Sequence, residues 1–377
     1  VYASAFLDLS AGPMVVEVPA GTGPGTVNDA FFRFVVDMGG PGPDRGKGGK
    51  YLIIGPGQSA PANTDGYFVA NTPSKINWLI LRGFLDDEGK TDTAKNAFKG
   101  GLKVYPYAER ANPPANNFKN LTDWETNTIH ANNFKFYEEL DEVIQREPSE
   151  LFSPELLGMA SAIGIQKGKP FNPSPEQKAL LTEAVAIGNA TARSILFAPQ
   201  DPKAYIYPGK AGYWQTGFPG GNHEYLVDGG NGGRDMDGRT LFFYLATVNT
   251  PAMGLEMPGV GSQYTFSSRD SRGSYLDGAN SYSMTIPANP PANRFWSFVV
   301  YDPQTRSMLQ SDEMPYPSKN NTRNTDMVKN ADGSITLYFG PEAPKGLEAN
   351  WIKTVPGKGW FGIFRLYGPG QEWFDRT

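Results

Sequence analysis

The chain has 377 residues, more than one hydrophobic core usually organises, and about 100 to 200 residues per unit predicts two or three units. A formal charge of -5 with dispersed basic residues excludes the basic stripe that neutralises nucleic-acid phosphates, and zero cysteines exclude disulfides, thiol nucleophiles and cysteine-ligated metals. Apolar runs such as 76–81 and 295–301 fall far short of the roughly 18 to 20 residues that a membrane-spanning helix needs.

Glycine and proline, 44 and 32 of them, make up about a fifth of the chain and punctuate short aromatic and β-branched runs, the composition of strands joined by tight turns. The chain opens without Met on strand-like residues, Ala5 to Leu9, and further sequence is expected upstream. Met14 to Val18, Phe31 to Asp37, Tyr51 to Ile54 and Trp78 to Phe84 are predicted strands of one β unit, residues 1–130. From about Asn132 the period changes. Phe136, Leu140, Val143 and Ile144 fall three or four apart, predicting an amphipathic helix that ends near Pro148. Ser153-Pro154 marks a second helix start, and Ser174-Pro175-Glu176-Gln177 fits a capping box in which Gln177 reaches back to the cap amide. Residues 131–200 therefore form a predicted helical segment.

Aromatic and Gly/Pro-rich sequence from Pro199 to Glu224 predicts an ordered connection, since a disordered linker would hold fewer rings. Strands are predicted again at Thr240 to Val248, Ser281 to Ile286, Arg294 to Tyr301, Ile335 to Phe339 and Trp360 to Tyr367, a second β unit over residues 201–377. Tyr282, Met284 and Ile286 alternate with polar residues as in a half-buried strand, whereas Phe295 to Tyr301 is apolar on both faces and predicts a central one. Asn120-Leu-Thr, Asn189-Ala-Thr and Asn320-Asn-Thr match the glycosylation pattern but are read as chance composition.

The segments Ser10 to Pro19 and Gly42 to Tyr51 resemble the bacterial family of unknown function 1254. Residues Gly261 to Tyr264, Leu276 to Gly278, Arg294 to Asp302, Asn330 to Gly333, Asn350-Trp351 and Phe364 to Pro369 resemble the family of unknown function 1214. This resemblance implies an α+β, β-rich chain with an N-terminal β unit, a central helical segment and a C-terminal jelly-roll-like β-sandwich. It also implies a periplasmic or secreted location, a bacterial source, and truncation at both ends, because relatives usually extend beyond both termini. No reaction comes with it, and a sandwich by itself licenses none.

Candidate chemistry is sparse. The Gly-rich run Gly39 to Gly49 fails as a phosphate loop, with Pro41 where a glycine is required and Gly48 where Ser or Thr is required, so it is read as a surface hairpin or lid. Only His130 and His223 exist, and no Gly-x-Ser-x-Gly elbow accompanies them. His223, in a Gly-rich loop before Glu224, is a candidate base or ligand contact beside the alternative of a structural role. Asp228, Asp235 and Asp237 offer oxygens on a pliant backbone that would suit calcium or magnesium, but EF-hand spacing fails, leaving a solvated acidic turn as the alternative.

Phe361, Ile363, Arg365 and Tyr367 share one face of a predicted strand, so the Arg365 guanidinium must snorkel or find an acceptor. Asp302, Asp312 and Glu313 are candidate partners. The alternative joins Arg269, Asp270, Tyr301, Arg306 and Arg365 with Trp296 into a pocket that recognises a carboxylate or polyol by forked donors and aromatic stacking. The leading expectation is thus an extracytoplasmic module binding a small polar or anionic ligand or glycan in the C-terminal sandwich, with homo-oligomers as a further expectation. A carboxylate-dependent, glycosidase-like hydrolase and a structural envelope protein stand as alternatives.

Overall fold

Short alternating runs become strands wherever one face can be buried, and the computed structural model, which describes residues 1–86, 88–122, 124, 129–207 and 213–376, sorts them into four sheets. Two compact units result: Val1–Ala190 with Val248–Thr250, and Thr191–Thr247 with Pro251–Thr377.

In the first unit the strands are β1 (Tyr2–Asp8), β2 (Met14–Val18), β3 (Gly25–Asn28), β4 (Phe34–Met38), β5 (Gly49–Ile54), β6 (Tyr67–Asn71), β7 (Ile76–Arg82) and β8 (Lys103–Pro106), with helix α1 (Asp92–Gly101) before β8. They form two four-stranded sheets, ordered β1-β7-β3-β4 and β6-β5-β2-β8. Leu7, Val27, Leu79 and Leu81 of one and Val16, Tyr51 and Ile53 of the other meet in a single buried core that α1 extends with Phe98. The Gly-rich run is a tight loop closed on an internal carboxylate. Asp44 accepts the Gly39 and Gly48 amides at 2.7 and 3.1 Å and the Tyr51 hydroxyl at 2.5 Å.

Helices α2 (Lys135–Arg146), α3 (Pro154–Ala162) and α4 (Pro175–Phe197) follow, the first where the periodicity predicts a helix and the other two where the cap residues predict helix starts. Tyr137, Ile144, Leu151, Leu181 and Val185 build their shared core. Glu147, just past α2, fastens this segment to the sheet: its carboxylate accepts the Lys75 and Ile76 amides at 2.6 and 2.9 Å. Ser153 caps α3 through the Leu156 amide. At α4 only half of the capping box forms. Ser174 accepts the Gln177 amide at 3.2 Å, but the Gln177 side chain donates to the Ile163 carbonyl at 2.8 Å, because the exposed end of α3 offers an acceptor that needs a partner.

The second unit holds α5 (Met236–Leu245), α6 (Pro251–Gly254), β9 (Ser262–Ser267), β10 (Tyr282–Ile286), β11 (Ala292–Tyr301), β12 (Ser318–Asn320), β13 (Ile335–Gly340), β14 (Trp351–Lys353), β15 (Phe361–Pro369) and α7 (Gln371–Asp375). A three-stranded sheet, β10-β13-β14, faces a four-stranded one, β12-β11-β15-β9, as a β-sandwich. Trp296, Phe298, Val300 and Leu366 interdigitate with Ile286, Leu337, Phe339 and Ile352 between them. Gly362 lets this layer close, since a Cβ there would lie 2.1 Å from the Phe298 ring.

One predicted strand is a helix. Thr240 to Val248 reads as an apolar run without alternation, and the structure folds Met236–Leu245 as α5, because Asp235 caps the start by accepting the Gly238 amide at 2.8 Å. Among the described residues no helix is long and apolar enough to cross a membrane.

Candidate functional site

Strand β15 divides its side chains between two environments. Phe364 and Leu366 point into the sandwich core, leaving Phe361, Ile363, Arg365 and Tyr367 on the outer face of the four-stranded sheet. Directly opposite Arg365 stand Ser297 of β11 and Tyr264 of β9. The rings of Phe295 and Tyr367 stack at 4.0 Å on the same face.

The half-buried Arg365 guanidinium donates from Nη2 to the Tyr301 phenol and lies 5.4 Å from the Tyr264 ring and 5.8 Å from the Tyr301 ring. Its Nε is sealed from solvent with no acceptor, and among the described residues no carboxylate forms an ion pair with it. Burial opposes the charge, yet the phenols of Tyr301, Tyr264 and Tyr367 outweigh that effect and hold the guanidinium pKa above its ordinary value. Asp302, one expected partner, instead binds the Gln304 amide at 2.7 Å and Lys358 at 3.2 Å. Glu313, another, pairs with Lys353 at 2.7 Å.

Arg306 lies in the turn after β11 with its guanidinium carbon 4.0 Å from the Tyr244 ring of α5. Tyr244, Tyr301 and Phe361 belong to one apolar cluster, so Arg306 and Arg365 attach to the same group of rings. At φ 59° Arg306 occupies the left-handed region, which costs a residue with a Cβ about 1 to 2 kcal/mol that a glycine avoids. Burial lowers its pKa, and of the neighbouring groups Tyr244 raises it while Arg193 lowers it further. Sequence reading missed Arg193 of α4. Its Nη1 donates to Gln304 Oε1 at 2.5 Å across 111 positions of sequence, and no local pattern signals such a contact.

Other expected members are placed elsewhere. Trp296 is 2% exposed and packs against Phe364 at 5.9 Å, on the sheet face opposite to Arg365. Arg269 forms its own group, donating to the exposed Tyr275 hydroxyl at 2.8 Å with the Tyr213 ring 5.5 Å away. Asp270 closes a local turn by accepting the Arg272 and Ser274 amides, each at 2.9 Å. His223 is half-buried beside Gly254; burial lowers its pKa and Glu224 opposes that shift.

Asp235 and Asp237 line a small cleft of about 90 Å³ with Ser194, Asp201, Gly238 and Leu241. Asp228 lies outside it, opening a short 3-10 turn at φ 48°. The carboxylates of Asp235 and Asp201 are engaged with backbone amides, Gly238 and Lys203 respectively, each at 2.8 Å. Among the described residues no group of three or more His, Asp or Glu side chains is placed to hold a metal ion.

Comparison with known proteins supplies the family. Residues 1–106 match the model described as Protein of unknown function (DUF1254), and residues 261–371 match Protein of unknown function (DUF1214). This chain is a paired DUF1254 and DUF1214 protein. The outer sheet face lies largely within its DUF1214 part, which holds Tyr264, Tyr301, Arg306 and Arg365, whereas Arg193 and Tyr244 come from sequence between the two domains. No curated protein matches the chain. The VPA0106 protein from Vibrio parahaemolyticus is similar in fold, with a TM-score of 0.53 at 19% identity, covering 99% of this chain and 85% of that one. An uncharacterized protein from Burkholderia cenocepacia aligns with a TM-score of 0.42 at 13% identity, covering 98% and 72%.

Proposed function

We propose that this DUF1254 and DUF1214 protein is a binding module, periplasmic or secreted, that takes a small anionic ligand or acidic glycan on the outer face of its four-stranded sheet. The observation that carries the reading is Arg365, a guanidinium with a sealed, unpartnered Nε and no carboxylate to neutralise it among the described residues. A buried charge is normally paired, and an unsatisfied donor costs about 1 to 3 kcal/mol. An anion arriving from solvent supplies the missing charge. Arginine suits the task, because its planar fork matches a carboxylate or phosphate and its face stacks on rings. Tyr264 and Tyr301 supply those rings here. Arg306 on Tyr244 adds a second cation beside the same cluster.

A thermal-shift screen tests this with glucuronate, citrate and glucose 6-phosphate against neutral sugars. Acids are expected to raise the melting temperature of the wild type, and Arg306→Met and Arg365→Met each to weaken that response while remaining folded by circular dichroism. Equal responses in the wild type and both variants, or variants that merely unfold, contradict the reading.

A further inference from the structure

Arg193 and Arg306 come from segments more than a hundred residues apart and converge on a single residue, Gln304. Arg193 Nη1 donates to its side-chain oxygen at 2.5 Å and Arg306 Nη1 to its backbone carbonyl at 3.1 Å. Both acceptors are neutral. Neither guanidinium forms an ion pair among the described residues, and the nearby carboxylate of Asp302 is committed to the Gln304 amide and to Lys358. The two cations are close enough for the charge on Arg193 to lower the pKa of Arg306, in addition to the effect of burial. Two like charges gathered on one neutral residue repel each other unless something of opposite sign joins them.

From this we propose that Arg193 and Arg306 form a two-arginine clamp for a phosphate group, so that the ligand of this face is a phosphate monoester. The inference rests on the binding role given to Arg306 above and adds the class of ligand. A phosphate monoester carries about -1.5 to -2 charges at neutral pH, which balances two guanidinium groups where a single carboxylate balances one. Its three terminal oxygens accept from both forks at once. The Gln304 side-chain amide nitrogen is a further donor within the same turn. Arg306 also holds a left-handed backbone angle that glycine would adopt without strain, so strain is stored at a position where the side chain is the only thing gained.

The test is a melting-temperature series in inorganic phosphate, with potassium chloride at matched ionic strength as reference, on the wild type, Arg193→Met, Arg306→Gly and, as a remote control, the exposed Arg272→Met. Phosphate at ten times its Kd is expected to raise the wild type and the control by roughly 2 to 4 °C, and to leave the two clamp variants at their chloride values. Without phosphate, Arg193→Met and Arg306→Gly are expected to melt no lower than the wild type, since one loses a repulsion and the other a strained angle. Lower melting in chloride with an unchanged phosphate shift makes Arg193 purely structural and overturns the clamp. So does a wild type that fails to respond to phosphate. If Arg365→Met abolishes the sugar-acid response while Arg193→Met keeps the phosphate shift, only the clamp fails. If the clamp variants lose the phosphate shift while Arg365→Met leaves sugar-acid binding intact, only the Arg365 reading fails.

Discussion

Asp37 shows how much one carboxylate can matter. It lies on β4, 7% exposed, with Oδ1 sealed and unpartnered and its carboxyl group hydrogen-bonded to Thr26 and Thr250. Burial outweighs those two hydroxyls and pushes its pKa up to about 6. Below about pH 3.8 both folded and unfolded chains keep this proton; as the pH rises towards 6 the unfolded chain releases it first, so stability falls by about 3 kcal/mol. Asn at this position removes the linkage. Unfolding of Asp37→Asn and wild type in urea from pH 4 to 8 should give a gap in favour of the variant that widens up to about pH 6 and then levels. A gap independent of pH contradicts the assignment. Legibility also varied residue by residue. Alternation along β15 puts Arg365 on one face with Phe361, Ile363 and Tyr367 from sequence alone, but the pattern does not say which face of the sheet is the outer one. The core-facing position of Trp296 is not legible, because β11 is apolar on both faces and nothing in its composition says which face a ring takes. Arg193 was invisible, since its partner Gln304 is 111 positions away.

Whether an element is strand or helix was decided by caps where hydrophobic patterning was silent. β10, with clean alternation, and β2, a short apolar run bounded by prolines, can be read directly, and Ser153 announces α3. The apolar run Leu241 to Leu245 has no alternation, and Asp235 settled it as α5. Short strands such as β12 and β14, with three residues each, have too few positions to show a period and exist through their neighbours. Helix α5 matters for the binding face because it carries Tyr244, on which Arg306 rests. Removing the cap with Asp235→Ala should therefore cost about 1 kcal/mol and lower the melting temperature equally in calcium and in a chelator. Calcium stabilisation of the wild type that the variant lacks would instead assign Asp235 to a cation.

Across the molecule, the two family matches fall one in each compact unit, and neither brings a reaction with it. Length predicted more than one unit, and composition a β-rich fold; both follow from how much surface a core can cover and from the turns that 44 glycines and 32 prolines permit. Function was less legible, because the features that suggest it are absences of neutralisation, visible only when distant segments are brought together. Net charge is -5, yet the outer face of the second unit keeps Arg306 and Arg365 without an acidic partner among the described residues. The most direct measurement is native mass spectrometry of the wild type and an Arg306→Met, Arg365→Met double variant, each after incubation with the acids of the thermal screen. The account predicts a bound small anion on the wild type that the folded double variant lacks. A wild type found only as the bare chain, or an equal load on both proteins, would contradict it.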